Sequence, residues 1–213
     1  MKIGVLGSGP VGQQLGEAFV KSNHEVMIGS RDPSKLNSWV TKQPAGKASS
    51  GTFADTAAFG QIVLVATLWQ GTKAVLEAVG RNLDGKVVID VTNPLDFSGN
   101  KPRLALGYGD SGGETVQRLI PNARVVKAFN IVGNAHMYKP DFDGGPPTMF
   151  ICGNDEEAKR EVTKILDNFG WETIDIGGID GSRLLEPMAM LWVAYYLKVG
   201  TGDHAFKLLR RSA

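Results

Sequence analysis

The 213-residue chain has one cysteine, Cys152, so it can close no disulfide within itself and offers no cysteine cluster to a metal. That cysteine ends the apolar run Thr148-Met149-Phe150-Ile151-Cys152 and is expected as a small core residue. Charge of one sign is lacking too. With 23 basic against 22 acidic residues the net charge is +1, which gives no footing for nucleic acid or an anionic membrane as partner. No apolar run reaches the roughly 18 to 20 residues needed to cross a bilayer. The N-terminus carries no signal-peptide pattern, so a cytoplasmic protein is expected. Repeats and low-complexity segments are absent. The acidic run Asn154-Asp155-Glu156-Glu157 reads as a helix cap followed by an acidic first turn, and no metal site is expected. At 42% hydrophobic and 21% charged, the composition is that of a globular protein able to bury a sizeable core.

What the chain does have is glycine in the right place. Lys2-Ile3-Gly4-Val5-Leu6 is a short apolar run suited to a strand buried on both faces. Gly7-Ser8-Gly9-Pro10-Val11-Gly12 follows at once and fits G-x-G-x-x-G. In that motif the first glycine permits the tight turn, the second lets the backbone approach a pyrophosphate, and the third lets helix and strand pack closely. Pro10 falls in the first helical turn, where a missing N–H costs nothing. Val11, Leu15, Ala18 and Phe19 recur at helical spacing. A pyrophosphate at the start of that helix meets free amides and the positive end of the dipole. In a chain with 27 glycines the motif alone says little. Its position between a first strand and a helix, with a second strand at Glu25–Ile28, makes it a dinucleotide-binding turn.

The end of the second strand selects the dinucleotide. An NAD site places Asp or Glu there to hold the ribose hydroxyls; this chain reads Gly29-Ser30-Arg31-Asp32-Pro33-Ser34-Lys35. Ser30 can donate to a 2′-phosphate, Arg31 can form a forked pair with it, and Lys35 adds a point charge. Asp32 lies past Arg31 and before Pro33, a turn position. Together the three residues favour NADP.

Further strands are expected at 61–67, 86–92, 124–130, 148–152 and 172–176, and helices at 54–59, 73–82, 113–119, from the acidic run at 154–157, and at 181–198. Residues 36–52 are polar and expected to be helical only in part; residues 96–113 are expected as a long loop. In open α/β sheets the carboxyl ends of the strands border the ligand crevice. Thr67, Leu68 and Trp69 are therefore candidates to touch the dinucleotide, although Trp69 fits core packing as well. Asn93, ahead of Pro94 and Leu95, either donates to a ligand carbonyl or is a turn residue. Phe129 and Asn130 stand at a third strand end. His136 has no carboxylate near it in sequence and is a minor candidate for an acid or base; no catalytic side chain is assigned. The apolar helix with Leu184, Leu185, Met188, Leu191, Trp192, Tyr195 and Tyr196 is expected to cover the sheet or a twofold partner.

With these residues in view, the chain resembles the NADPH-dependent reductases of the deazaflavin coenzyme F420, and the cytoplasmic reductase domain of the STEAP metalloreductases. The likeness rests on Gly7 to Gly12, on Gly29-Ser30-Arg31 with Lys35, and on the strand ending at Trp69. Val125-Val126-Lys127-Ala128-Phe129-Asn130 and Ser182-Arg183-Leu184-Leu185-Glu186 extend it into the C-terminal half. It implies a Rossmann-type doubly wound α/β fold with a mostly parallel sheet. Residues 1–213 would form one NADP-binding domain with a small C-terminal helical lobe from about 178, paired as a homodimer. It implies NADP(H) bound by Ser8, Gly9, Pro10, Val11, Ser30, Arg31, Lys35, Trp69 and Asn134, to which the glycine motif and the strand ends add Gly7, Gly12, Thr67, Leu68 and Asn93 as expected cofactor contacts. A small-molecule acceptor, coenzyme F420 or a flavin such as FMN or FAD, would lie by Pro94, Leu95, Phe129 and Asn130. Leu68 departs from a proline of the deazaflavin reductases and Lys73 from an apolar residue, while Asn93-Pro94 and Phe129-Asn130 are closer to the metalloreductase domain.

The expectation is hydride transfer between NADP(H) and a deazaflavin or flavin. Two other readings stay open: a non-catalytic NADP-sensing module, and a carbonyl- or imine-reducing dehydrogenase. The latter usually carries a long helical C-terminal domain, and about 35 residues follow Gly178.

Overall fold

Apolar runs with no polar face need cover on both sides, and the strands they form are the centre of an eight-stranded sheet. The computed structural model describes residues 1–211; residues 212 and 213 of the expected C-terminal lobe lie outside them. In chain order the elements are β1 (Lys2–Leu6), α1 (Pro10–Lys21), β2 (Glu25–Gly29), α2 (Asn37–Thr41), β3 (Ala48–Gly51), α3 (Phe53–Phe59), β4 (Ile62–Val65), α4 (Trp69–Val79), β5 (Val87–Asp90), β6 (Leu95–Asp96), β7 (Arg103–Leu104), α5 (Gly112–Leu119), β8 (Arg124–Lys127), β9 (Thr148–Gly153), α6 (Glu156–Asn168), β10 (Glu172–Asp175) and α7 (Ser182–Val199). Short 3-10 turns lie between several of them.

The sheet runs β10-β9-β8-β5-β4-β1-β2-β3. Starting from β1, the chain first builds outward through β2 and β3, then returns to β4 on the other side and continues to β5 and β8. The strand order therefore reverses at β1, the switch point at which open α/β sheets bind ligands. Register aligns the carboxyl ends along one edge: Leu6 pairs with Gly29 and Val65, Val65 with Asp90, and Asp90 with Lys127. Gly7, Ser30, Thr67, Asn93 and Asn130 all follow within a few residues of that line. The expected Rossmann-type, mostly parallel sheet is what the chain forms.

One pairing is antiparallel. β9 runs against β8, with Val126 opposite Gly153. The segment between them holds only a 3-10 turn at Asn134–His136 and no crossover helix, so the chain re-enters from the edge it left. β10 follows parallel to β9.

Several expectations are corrected. The polar stretch 36–52 contains both α2, which buries Trp39, and an edge strand, β3. Helix α4 starts at Trp69 rather than Lys73, and gives way to a 3-10 turn after Val79. Its core face is Thr72, Val75, Leu76 and Val79; Ala74 and Ala78 point outward. The loop at 96–113 carries the small hairpin β6–β7, tied by an Asp96–Arg103 ion pair at 2.8 Å. The backbone bond to Ser98 and that arginine hold the Asp96 carboxyl down at about 2. Helix α7 buries only Ser182, Leu185, Glu186 and Ala189, while Leu184, Leu191 and Tyr195 are exposed. Trp192 stacks on His204 at 4.6 Å, and the following segment returns to β9, where Thr148 donates to the Phe206 carbonyl. Among the described residues no helix is long and apolar enough to cross a membrane.

Candidate functional site

The glycine turn is built by two contacts and one opening. Gly7 has φ +135°, and a Cβ there would lie 2.3 Å from the Ala66 carbonyl oxygen; a Cβ on Gly12 would lie 2.0 Å from the Gly7 oxygen. These two glycines answer to the packing of β1, β4 and α1. Gly9 does not. A Cβ on it would meet nothing within 4 Å, so nothing inside the protein requires glycine at the mouth of α1. Gly9 is also the N-cap of α1, yet no side chain caps that helix and no acid stands in its first turn. The amides at its start are left for an outside acceptor. A phosphate group fits this opening in both space and charge.

Beside it, Ser8 Oγ and Ser30 Oγ lie 3.3 Å apart, and the Asp32 amide donates to Ser30 Oγ at 3.2 Å. The Asp32 carboxylate is turned away, accepting from the Ser34 amide and hydroxyl at 3.2 and 2.5 Å, with Lys35 Nζ at 3.8 Å. The Ser34 hydroxyl is the first reason its carboxyl sits below the usual range. Asp32 is thus committed to its own turn, where an NAD site would use an acid on the ribose. Arg31 and Lys35 are exposed, and among the described residues Arg31 makes no ion pair.

Along the same edge Thr67 and Thr72 share a hydroxyl contact at 2.8 Å. Leu68, the N-cap of α4, is exposed. Trp69 is half-buried and lies against Gly112 beside Pro94: a Cβ on Gly112 would come within 3.3 Å of its ring and 3.2 Å of the Pro94 ring. Of the two sequence readings of Trp69, packing is what these contacts show, and the ring also keeps some exposed surface. Asn93 Nδ2 donates to the Asn130 carbonyl at 2.8 Å, and Asn130 Nδ2 donates back to Asn93 Oδ1 at 3.0 Å. Leu95 is half-buried in the hairpin.

One expected position sits elsewhere. Phe129 is fully buried, with its ring 6.1 Å from that of Phe169, so the side chain belongs to the core and gives a ligand no surface. Its backbone is left-handed at φ +61°, which redirects the chain into Asn130. Asn134 shares a cleft of about 700 Å³ along α1 with Pro10, Gln13, Gln14 and Trp39. His136 does have a carboxylate partner: its Nε2 is 3.1 Å from Asp203 Oδ1.

The sequence reading missed a buried charge cluster. Lys127 Nζ lies 2.9 Å from Asp90 Oδ2 and 3.0 Å from Glu186 Oε1, and all three side chains are essentially inaccessible. Burial alone would push the Lys127 ammonium down; the two carboxylates reverse this and hold it above its usual value. A signal existed, since a charge inside a fully buried strand has to be paired. Nearby, burial pushes the Cys152 thiol up to about 11, which makes it an unreactive core residue. Among the described residues no group of three or more His, Cys, Asp or Glu could hold a metal ion.

Comparison with known proteins agrees with this geometry. Residues 2–94 match the family described as NADP oxidoreductase, coenzyme F420-dependent. The F420-dependent NADP reductase of Methanocaldococcus jannaschii is 31% identical over 95% of this chain and 96% of its own. A crystal structure from Arthrobacter sp. FB24, described as a candidate F420-dependent NADP reductase, superposes with a TM-score of 0.93. It is 38% identical and covers 99% of this chain and 100% of its own. The rat metalloreductase STEAP3 is 29% identical over 89% of this chain, which spans 36% of that longer protein. On the strength of the match to the M. jannaschii reductase across almost its whole length, the chain belongs to the coenzyme F420-dependent NADP oxidoreductase family.

Proposed function

We propose that the protein transfers hydride between NADP(H) and a deazaflavin of the F420 type, with a flavin as the less favoured acceptor. The observation that carries the nucleotide half is Gly9, a glycine with no internal reason to be one, at the uncapped start of α1. Here the α1 amides receive the pyrophosphate, and Ser30, Arg31 and Lys35 receive the 2′-phosphate. Ser8, Pro10 and Val11 line the turn, and Thr67, Leu68, Trp69, Asn93 and Asn134 border the rest of the dinucleotide. Pro94, Leu95 and Asn130 stand by the acceptor.

The bound nicotinamide supplies the hydride chemistry. The chain has to hold two rings face to face and keep water out, work for which no side-chain nucleophile or metal is needed. Trp69 and exposed Leu68 give the apolar walls, Pro94 is buried behind the Trp69 ring, and the mutual amide bonds of Asn93 and Asn130 keep one end of the cleft from shifting. Residues 1–213 act as one NADP-binding unit with a C-terminal lobe from about 178. The protein works in the cytoplasm as a homodimer.

The test is to add NADPH with a deazaflavin, and separately with FMN or FAD, and to follow loss of the reduced nicotinamide absorbance. Turnover with the deazaflavin is expected. NADPH binding without turnover on either acceptor would make the protein a sensor of the dinucleotide.

A further inference from the structure

Behind the strand ends lies a closed polar circuit. Asp90 Oδ1 accepts from the Thr92 amide at 2.9 Å and the Thr92 hydroxyl at 2.7 Å. Lys127 Nζ donates to the Thr92 carbonyl at 2.6 Å and is ion-paired with Asp90 and Glu186, so three oxygens surround the ammonium. Residue 92 is thereby fixed at its amide, its hydroxyl and its carbonyl, and the next residue is Asn93. Asn93 and Asn130 hold each other, and Asn130 Nδ2 also donates to the Leu185 carbonyl at 3.1 Å. Leu185 adjoins Glu186, whose oxygens accept from the Gly112 and Gly113 amides at 2.9 and 3.0 Å. The circuit joins the ends of β5 and β8, the first turns of α7 and the start of α5.

We infer that Asp90, Lys127 and Glu186 are positioning residues for the nicotinamide end of the cleft, acting through Asn93, Asn130 and the seat of Trp69. The inference rests on the proposed dinucleotide site. Three features argue for it. Buried ion pairs are poor sources of stability, since apolar residues of similar volume often serve as well; what a buried, paired charge cluster supplies is direction. Every bond of this cluster ends on a strand end or helix start that borders the cleft. Tolerance for movement is also low. A Cβ on Gly113 would fall 2.1 Å from Ser182 Oγ, and one on Gly112 would fall 2.9 Å from Glu186 Oε1 and 3.3 Å from the Trp69 ring. Helices α5 and α7 and the tryptophan are seated on one another without slack. Finally, Phe129 keeps a left-handed backbone between Lys127 and Asn130, a conformation that persists only where the surroundings impose it.

The test compares Glu186→Gln and Asn130→Ala with the unaltered protein. Glu186→Gln leaves the Lys127–Asp90 pair but puts an amide where a carboxylate takes three contacts, from Lys127 and the Gly112 and Gly113 amides; Asn130→Ala cuts the circuit without unpairing any charge, and decides the matter if the first variant does not fold. Calorimetry with 2′,5′-ADP reads the distant adenosine half, the fluorescence of bound NADPH reads the surroundings of its ring, and turnover reads the outcome. Affinity for 2′,5′-ADP should stay within about twofold. Bound NADPH should shift toward its emission in water, and turnover should fall roughly 10- to 100-fold. Unchanged NADPH emission and turnover would show that the cluster only fills space. A parallel loss of 2′,5′-ADP affinity would show a general structural role, and either result overturns the inference. Failure of the unaltered protein to bind NADPH would refute the dinucleotide reading itself, and this inference with it.

Discussion

Ser8 and Ser30 meet hydroxyl to hydroxyl at 3.3 Å, tying the glycine turn after β1 to the end of β2. Ser30 also accepts from the Asp32 amide, so the residue between them, Arg31, is carried on a loop anchored at both sides while its own side chain stays free. That arrangement fixes the backbone from which the guanidinium can reach a phosphate. A hydrogen bond to a charged group is worth about 1.5 to 3 kcal/mol. Arg31→Ala should then weaken NADPH binding roughly 10- to 150-fold and leave NADH binding almost unchanged, as read by calorimetry. An equal loss for both nucleotides would make Arg31 a structural residue.

The glycines of the turn should separate binding from folding. Gly9→Ala adds a methyl group to open space, so the melting temperature should hold while NADPH affinity is lost. Gly12→Ala drives a methyl group into the Gly7 carbonyl at 2.0 Å and should destabilise the protein whether or not nucleotide is present. If Gly9→Ala binds NADPH with unchanged affinity, the loop is a turn and no more.

The two halves of the site differed in how far the sequence exposed them. β1, the glycine turn, α1 and β2 are contiguous, and each element follows from its neighbours in sequence, so these elements could be read directly. β3 could not. Ala48-Ser49-Ser50-Gly51 has no apolar alternation, and it becomes a strand only because Val26 to Gly29 present a free edge. The start of α4 was hidden for a related reason: its N-cap is Leu68, which makes no side-chain capping bond. The direction of β9 is set by the connection before it and cannot be read from the residues of the strand. Asp90, Lys127 and Glu186 were visible as charges in apolar surroundings, but their partners stand 37 and 59 residues apart in sequence, and only folding pairs them. The Phe129 ring was misplaced because alternation at a strand end fails when the backbone turns left-handed.

His136 and Asp203 form a contact between the turn after β8 and the segment after α7. Direct hydride transfer asks for no proton from a side chain. Loss of a working general acid would cost roughly 100- to 10,000-fold in rate. His136→Ala should instead keep turnover within about tenfold of the unaltered protein, with its main effect on the attachment of the C-terminal segment, seen as faster proteolysis there. Complete loss of activity in this variant would favour a carbonyl- or imine-reducing enzyme.

The central claim is that hydride passes directly between two rings held by this cleft. A single-turnover reaction with NADPH deuterated on one C4 face and a deazaflavin acceptor, analysed by mass spectrometry, tests it without intermediates. With one of the two C4 faces labelled, the deuterium should be recovered on the deazaflavin carbon without exchange into water; with the other, it should remain on the nicotinamide. Deuterium lost to solvent, or no transfer from either face, would contradict the account.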